Sequence, residues 1–389
     1  MKRALLYGAL VALAIIILGV AGGAGWLLTS PEGGRRLLET AASMAGARLE
    51  IGRMEGRLLD GLRLEDTTLR ASEMTITAGL LILEWDPLPL LIGDLSVEKL
   101  HARRVDIVDN RPESKEPTDL SWPVISGPLA RVNGRVGNLD ITGFTYKKSR
   151  EKPFSLNRVS CRADLRAGRL AVTRLIIGAP EGVASGAAGV SFREPRLNLF
   201  ATVKPSSPAA GFERFLVHAS LQPGRGDEQA AGNIHAVAAG KEKRVELSTG
   251  ASLSRTSISF RNLALSEAGR QGRIIGKGTI SFSGPKPELL ISLGLEKLDL
   301  SREAPTLPPL NGTLGLKGYA DDYKGDFHLA VAGKGWRSAD LRGKISGDNK
   351  KVDVTLDRGA LLKGTLSGAL RAAWQEGLTL TASDRKSVV

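Results

Sequence analysis

The feature that most constrains the fold of this chain is an alternation of apolar and polar residues, repeated along most of its length. Apolar side chains take every second position in short runs, for example at 197–203, 215–221 and 352–356. A period of two is typical of strands with one apolar and one solvated face. Turn-forming stretches recur about every 8 to 12 residues, and no second long helical pattern intervenes. The sequence therefore predicts an all-β protein of repeated strands and excludes βαβ units.

The N-terminus carries an uncharged run, Ala4 to Leu28, that is 25 residues long. As a helix it would span about 37 Å, which exceeds the roughly 30 Å of a bilayer core. Lys2 and Arg3 before it favour a cytoplasmic N-terminus with the body of the chain across the membrane. A cleaved signal peptide, cut near Ala24, is the alternative, but its apolar region is expected to be shorter. We predict a transmembrane signal-anchor over residues 1–29.

A short helix is predicted over residues 30–46. Ser30, Pro31 and Glu32 provide an N-cap, a proline at the first helical position and an acid in the first turn. A first β segment follows at 47–109, then a polar loop at 110–122, and then repeated strands at 123–389. We expect the chain to be truncated at its C-terminal end.

One apolar segment, residues 85–95, breaks the strand pattern. Asp86 caps a turn with Pro87 at its first position, and Pro89 prevents a regular central strand. Two interpretations are open: a plug over the open end of a β core, or contact with the membrane interface aided by Trp85.

Composition argues against several kinds of chemistry. Cys161 is the single cysteine, and there are four histidines. No intramolecular disulfide or cysteine-rich metal site is therefore expected, and no catalytic motif is present. Lys plus Arg exceeds Asp plus Glu by 54 to 41, a net charge of +13. Because these basic residues are spread along polar strand faces, we expect no nucleic-acid partner. The few cysteines and histidines and the absence of a catalytic motif lead us to expect no cofactor, no metal and no enzymatic activity.

The apolar faces of the strands have two possible arrangements. They pack against each other in closed sandwiches, or they line an open trough that holds an apolar ligand such as an acyl chain. The residues expected to line such a groove are Leu289, Ile291, Leu293, Leu295, Leu314, Leu316, Phe327, Leu329, Val331, Val352, Val354 and Leu356.

Ordered motifs resemble the TamB family of the AsmA-like group. They are the anchor, Thr-Ser-Pro-Glu-Gly at 29–33, Ile-Gly-Arg-Met-Glu-Gly-Arg-Leu-Leu-Asp-Gly-Leu at 51–62, and Leu-Glu-Trp-Asp-Pro-Leu-Pro-Leu-Leu-Ile-Gly-Asp-Leu at 83–95. The region 310–374 is similar to the glycine-punctuated β repeats of that family. The resemblance covers most of the chain but is poor between about 110 and 210.

This resemblance implies a periplasmic protein of Gram-negative bacteria, anchored in the inner membrane by one helix. It implies an elongated, curled β-sheet groove, a β-taco, that carries glycerophospholipids toward the outer membrane. A role in outer-membrane protein assembly with an Omp85-family partner is implied as well. Members of the family are usually much longer, so this chain resembles their N-terminal part. The alternative function is a scaffold or chaperone that binds a partner by β-augmentation.

Overall fold

A computed structural model describes most of the chain beyond its N-terminal segment. The described residues are 30–86, 88–89, 93–111, 118–124, 133–148, 152–209, 211–299, 301, 308–333, 336–361, 364–373 and 379–384. No helix among them is long and apolar enough to cross a membrane. The predicted anchor, Ala4 to Leu28, lies outside them.

Among the residues that the structure describes, the chain is all-β apart from one short helix, with open, curled sheet as its architecture. It divides into two compact units, Met1–Glu113 with Ile125–Ala187, and Ser114–Val124 with Ala188–Val389. The division falls inside strand β8 (Gly182–Ser191).

Unit 1 holds the helix and seven complete strands. They are α1 (Pro31–Met44), β1 (Ala47–Arg57), β2 (Gly61–Ala71), β3 (Met74–Asp86), β4 (Asp94–Asp109), β5 (Asn133–Lys148), β6 (Phe154–Arg166) and β7 (Arg169–Ala179). Each strand pairs with the next in sequence, antiparallel except for β4 and β5. The parallel pair was not predicted. It requires a crossover, which the polar residues after β4 begin.

Helix α1 begins where the sequence predicts. The Ser30 side chain accepts a hydrogen bond from the Gly33 amide (3.0 Å), and Pro31 takes the first helical position. Its buried face is made of Gly33 and Gly34. A Cβ atom added to Gly34 would lie 2.8 Å from the Met54 Cε atom and 3.0 Å from the Leu58 Cδ1 atom. The helix therefore packs closely on the end of β1.

A transverse row of irregular residues crosses β1 to β6. In every ladder one residue on each strand is skipped at the same level; the skipped residues are Gly52, Asp66, Gly79, Arg104, Gly143 and Asn157. We call them the bend row. Asp66, Arg104 and Gly143 have φ values of 50°, 51° and 66°, in the left-handed region. Such interruptions bend strands and increase their twist, so the bend row curls the sheet of unit 1.

Unit 2 is an antiparallel meander. Its strands are β9 (Arg196–Pro205), β10 (Arg214–Pro223), β11 (Ala230–Ala239), β12 (Arg244–Leu253), β13 (Ser257–Glu267), β14 (Arg273–Ser281), β15 (Glu288–Leu298), β16 (Leu310–Tyr319), β17 (Asp322–Gly333), β18 (Trp336–Gly347), β19 (Lys351–Leu361), β20 (Gly364–Ala373) and β21 (Thr379–Asp384). Each pairs with the next in sequence. The ladders that build this sheet, among the described residues, join strands that follow one another in sequence.

Candidate apolar binding face

The predicted groove residues lie on one face of unit 2. Residues directly paired across an antiparallel ladder point to the same side. Leu293 pairs with Leu314, and Leu314 pairs with Phe327. Three rows of this kind are Ile291–Leu316–Gly325–Ile345–Val354–Leu370, Leu293–Leu314–Phe327–Gly343–Leu356–Gly368 and Leu295–Gly312–Leu329–Leu341–Gly359. We call this side the apolar face.

The same face continues toward the start of unit 2. Leu199 pairs with Ala219, Ala236 with Leu247, and Leu265 with Ile274. Register shifts in β13, β15 and β19 keep apolar residues on this side where simple alternation would lose them. The apolar face therefore runs from β9 to β20.

The predicted groove residues are not the interior of a closed core. Val331 alone among them is fully buried, at 5% exposed, and the other eleven are half-buried. Leucine and isoleucine in a two-layer core are usually fully buried. This apolar face therefore remains partly open to solvent.

Glycines explain how the open face is partly covered. A Cβ atom added to Gly276 would lie 2.7 Å from the Leu293 Cδ2 atom, and one added to Gly312 would lie 2.9 Å from the Leu329 Cδ2 atom. The bulky side chains thus lie flat over bare glycine backbone on the neighbouring strand. They are thereby partly shielded from solvent without a second layer of structure.

A short extended segment, residues 118–124, lies along one rim of unit 2; we call it the strap. The Leu120 amide donates to the Arg255 carbonyl (2.8 Å), and the Trp122 amide donates to Gln229 Oε1 (2.6 Å). The Trp122 indole Nε1 donates to the Ser191 carbonyl (2.7 Å). The strap is therefore fixed to the ends of β8, β11 and β12. Its one sequence signal was a tryptophan at the edge of the predicted polar loop.

Burial in unit 2 is greatest near the strap. Ala230, Ala251 and Ser191 are 0%, 5% and 4% exposed. From β13 onward, the fully buried apolar residues are Val331 and Ala339 among those that the structure describes. The part of the apolar face remote from the strap, β14 to β20, is the open part.

In unit 1 the apolar side of the sheet is fully buried at its first strands. Ile51, Leu62 and Leu64 are 3%, 4% and 6% exposed. Trp85 closes the same corner, since its indole Nε1 donates to the Leu58 carbonyl (2.7 Å). Leu88, the part of the predicted plug that the structure describes, is instead 69% exposed. Leu91 and Ile92, the other apolar residues of that turn, lie outside the described residues.

One buried carboxylate lies at the rim of unit 1. Asp109 is 2% exposed, accepts hydrogen bonds from the Arg111 amide and guanidinium, and accepts another from the Tyr146 hydroxyl (3.0 Å). These bonds, chiefly those from the Arg111 side chain, hold the pKa of Asp109 well below its usual range. This paired charge holds the chain in place where it leaves β4, so the cluster has a structural role.

The remaining candidates for chemistry are dispersed. His218 and His235 are directly opposite on β10 and β11, and both are exposed. Among the described residues no three histidine, cysteine or acidic side chains are grouped so as to hold a metal ion. Cys161 pairs with Leu139 in the ladder between β5 and β6, and burial raises the pKa of its thiol.

No protein-family model matches this chain, and neither a curated protein nor a solved structure matches it. The resemblance to TamB therefore depends on the quoted motifs alone.

Proposed function

We propose that this chain is a non-enzymatic, inner-membrane-anchored periplasmic protein that conducts glycerophospholipids along its apolar face toward the outer membrane. The observation that carries the proposal is the continuous apolar face of unit 2, whose bulky residues are only half-buried. A continuous apolar surface that is left open to solvent marks a binding site for apolar ligands or partners. Aliphatic side chains with few polar groups suit acyl chains, which require apolar surface and offer no hydrogen bonds.

The long, uncharged segment before the helix supports the anchored location. More specifically, we propose that the sheet forms a β-taco groove and that the protein supports outer-membrane biogenesis. The resemblance to TamB supports it.

A charge introduced on the apolar face tests the proposal. Leu316→Asp places a carboxylate among the acyl chains, and Thr313→Asp adds the same charge to the polar face of the same strand as a control. Burying an unpaired charge among lipid tails costs several kcal/mol, and about 4 kcal/mol corresponds to roughly a thousandfold loss of occupancy. Purified full-length protein is analysed by mass spectrometry for bound lipid and by thermal unfolding.

We expect Leu316→Asp to lose bound lipid while keeping a cooperative unfolding transition, and Thr313→Asp to keep both. Global unfolding of Leu316→Asp alone would show that the face is a closed core. A folded Leu316→Asp protein with its lipid still bound would equally contradict the proposal.

A second candidate function is a scaffold or chaperone for the assembly and secretion of outer-membrane proteins. One observation favours it: β21 forms a ladder with β20, and among the described residues its other edge forms none. Exposed edges pair with strands of other chains. An Omp85-type protein is the partner proposed for this edge.

A further inference from the structure

Four glycines of the open part lie on one diagonal across the strands. Each is on the next strand and in the next paired row of the apolar face: Gly318 in β16, Gly325 in β17, Gly343 in β18 and Gly359 in β19. We call this diagonal the furrow. Where glycines follow one another across a sheet, the surface is lower than the bulky side chains on both sides.

The walls of the furrow are bulky and apolar. Leu316 and Phe327 lie beside it on one side, and Ile345 and Leu356 on the other. They are half-buried. The register alone therefore creates a channel between two lines of large side chains.

The furrow is long enough for one lipid tail. With strands about 4.8 Å apart and same-face residues about 6.8 Å apart, a diagonal over four strands spans about 25 Å. One leaflet of a bilayer core of about 30 Å accommodates tails of about 15 Å. A single acyl chain therefore fits within the furrow with room for its first polar group.

In the described structure the walls lean into the furrow. A Cβ atom added to Gly325 would lie 2.9 Å from the Leu316 Cδ2 atom, and one added to Gly343 would lie 2.8 Å from the Phe327 Cε1 atom. These side chains stand over the glycine floor. They have freedom to rotate away, since no described layer packs against the open part.

One end of the furrow is polar. Tyr323 pairs with both Gly318 and Gly347, beside the turns that begin β17 and β19. Burial, together with the nearby Asp348, raises the pKa of Tyr323 and keeps its hydroxyl protonated. This hydroxyl makes no hydrogen bond with a described residue, so it is free to donate to a ligand.

We infer that the furrow is the site at which unit 2 holds a single acyl chain, with the polar head of the lipid at Tyr323 and Leu316 and Phe327 swinging aside to admit the tail. This inference rests on the proposed function. It adds a location, an orientation and an occupancy of one tail.

Photolabelling locates the bound chain. The full-length protein in lipid nanodiscs is incubated with a palmitate analogue that carries a diazirine near its methyl end, illuminated, digested and mapped by mass spectrometry. We expect labels on Phe327 and Leu356 and little label on Leu293 or Leu295, which share the apolar face but lie outside the furrow.

Ile345→Phe fills the furrow, whereas Ile291→Phe makes the same change on the same face away from it. Since a change of about one to two methylene groups in an apolar pocket alters binding by roughly tenfold, labelling should fall by about that factor in Ile345→Phe only. If Ile345→Phe fails to fold, Tyr323→Phe tests the same site, with about a fivefold loss of palmitate expected from one lost hydrogen bond.

The outcomes separate the two proposals. Labels spread evenly over the apolar face, or equal loss in Ile291→Phe and Ile345→Phe, would overturn the furrow and leave a lipid-binding face. Labelling no greater than that of heat-unfolded protein would overturn both.

Discussion

Gly343 and Gly315 show that glycines in neighbouring strands have different roles. Gly343 is on the apolar face, where an added Cβ would meet the Phe327 ring at 2.8 Å and also approach the Thr355 carbonyl oxygen. Gly315 is on the polar face, and the nearest atom to an added Cβ is Asp326 Oδ1, at 3.5 Å. The first position has no room for a side chain, and the second has.

Gly343→Ala should therefore destabilise the protein by about 1–3 kcal/mol through overpacking. Gly315→Ala should be neutral or stabilising by up to about 1 kcal/mol, because it restricts the unfolded chain. Urea denaturation of both variants measures the difference. Equal free energies of unfolding would show that the apolar side chains do not lie over glycine as described.

At this scale the sequence predicts the bulky residues well and the glycines poorly. Alternation placed Leu289, Ile291 and Leu293 on one side of a strand, and the register agrees. Gly325 and Gly343 carry no apolar signal, and glycine in a sequence equally indicates a turn. Which glycine lies opposite which leucine depends on strand register, and register is set by long-range pairing.

The strap is the element that the sequence describes least well. The sequence predicts a polar loop over 110–122, on the evidence of the polar run 111–117, and gives no sign of an extended segment at 118–124. Its position depends on bonds to Gln229 and Arg255, more than one hundred residues away in sequence. No local pattern encodes such pairing, and the same holds for the parallel β4–β5 ladder.

Gln229→Leu should loosen the strap, because Gln229 accepts from the Trp122 amide and donates to the Leu120 carbonyl (3.5 Å). Loss of about 1 kcal/mol of hydrogen bonding should speed exchange of the Trp122 amide about fivefold. Gln222→Leu, at an exposed position in β10, is the control. Unchanged exchange at Trp122, measured by mass spectrometry, would show that the strap is held by other contacts.

Taken as a whole molecule, each unit covers one part of its apolar face with a different device. In unit 1, α1 packs over Met54 and Leu58; in unit 2, the strap lies over the ends of β11 and β12. The hydrogen bonds of the strap are to Ser191, Gln229 and Arg255, away from β14 to β20, where Leu293 and Leu314 are half-buried. The open part is therefore where an apolar ligand gains most by binding.

The proposed anchor makes a prediction for the entire chain. A periplasm-dependent reporter fused after Val389 should be active, and the fusion should stay in the membrane fraction after a carbonate wash. Removing residues 4–28 should release it, since that uncharged run supplies the membrane affinity. A shortened, soluble form from the intact gene would instead indicate cleavage near Ala24.

The bend row also determines which genetic lesions unit 1 tolerates. Deleting one codon within β2, between its turn and Asp66, inverts every residue in that half-strand and sends Arg63 toward Leu81 and its neighbours. Deleting Asp66 itself leaves β2 with no residue opposite Gly52 and Gly79 in the row, so the β1–β2 and β2–β3 ladders lose their register on one side of it. Unit 1 should therefore tolerate the deletion of residues in its turns, or of two neighbouring residues within a strand. The bend row thus sets a constraint on insertions and deletions that is separate from the reading frame of the gene.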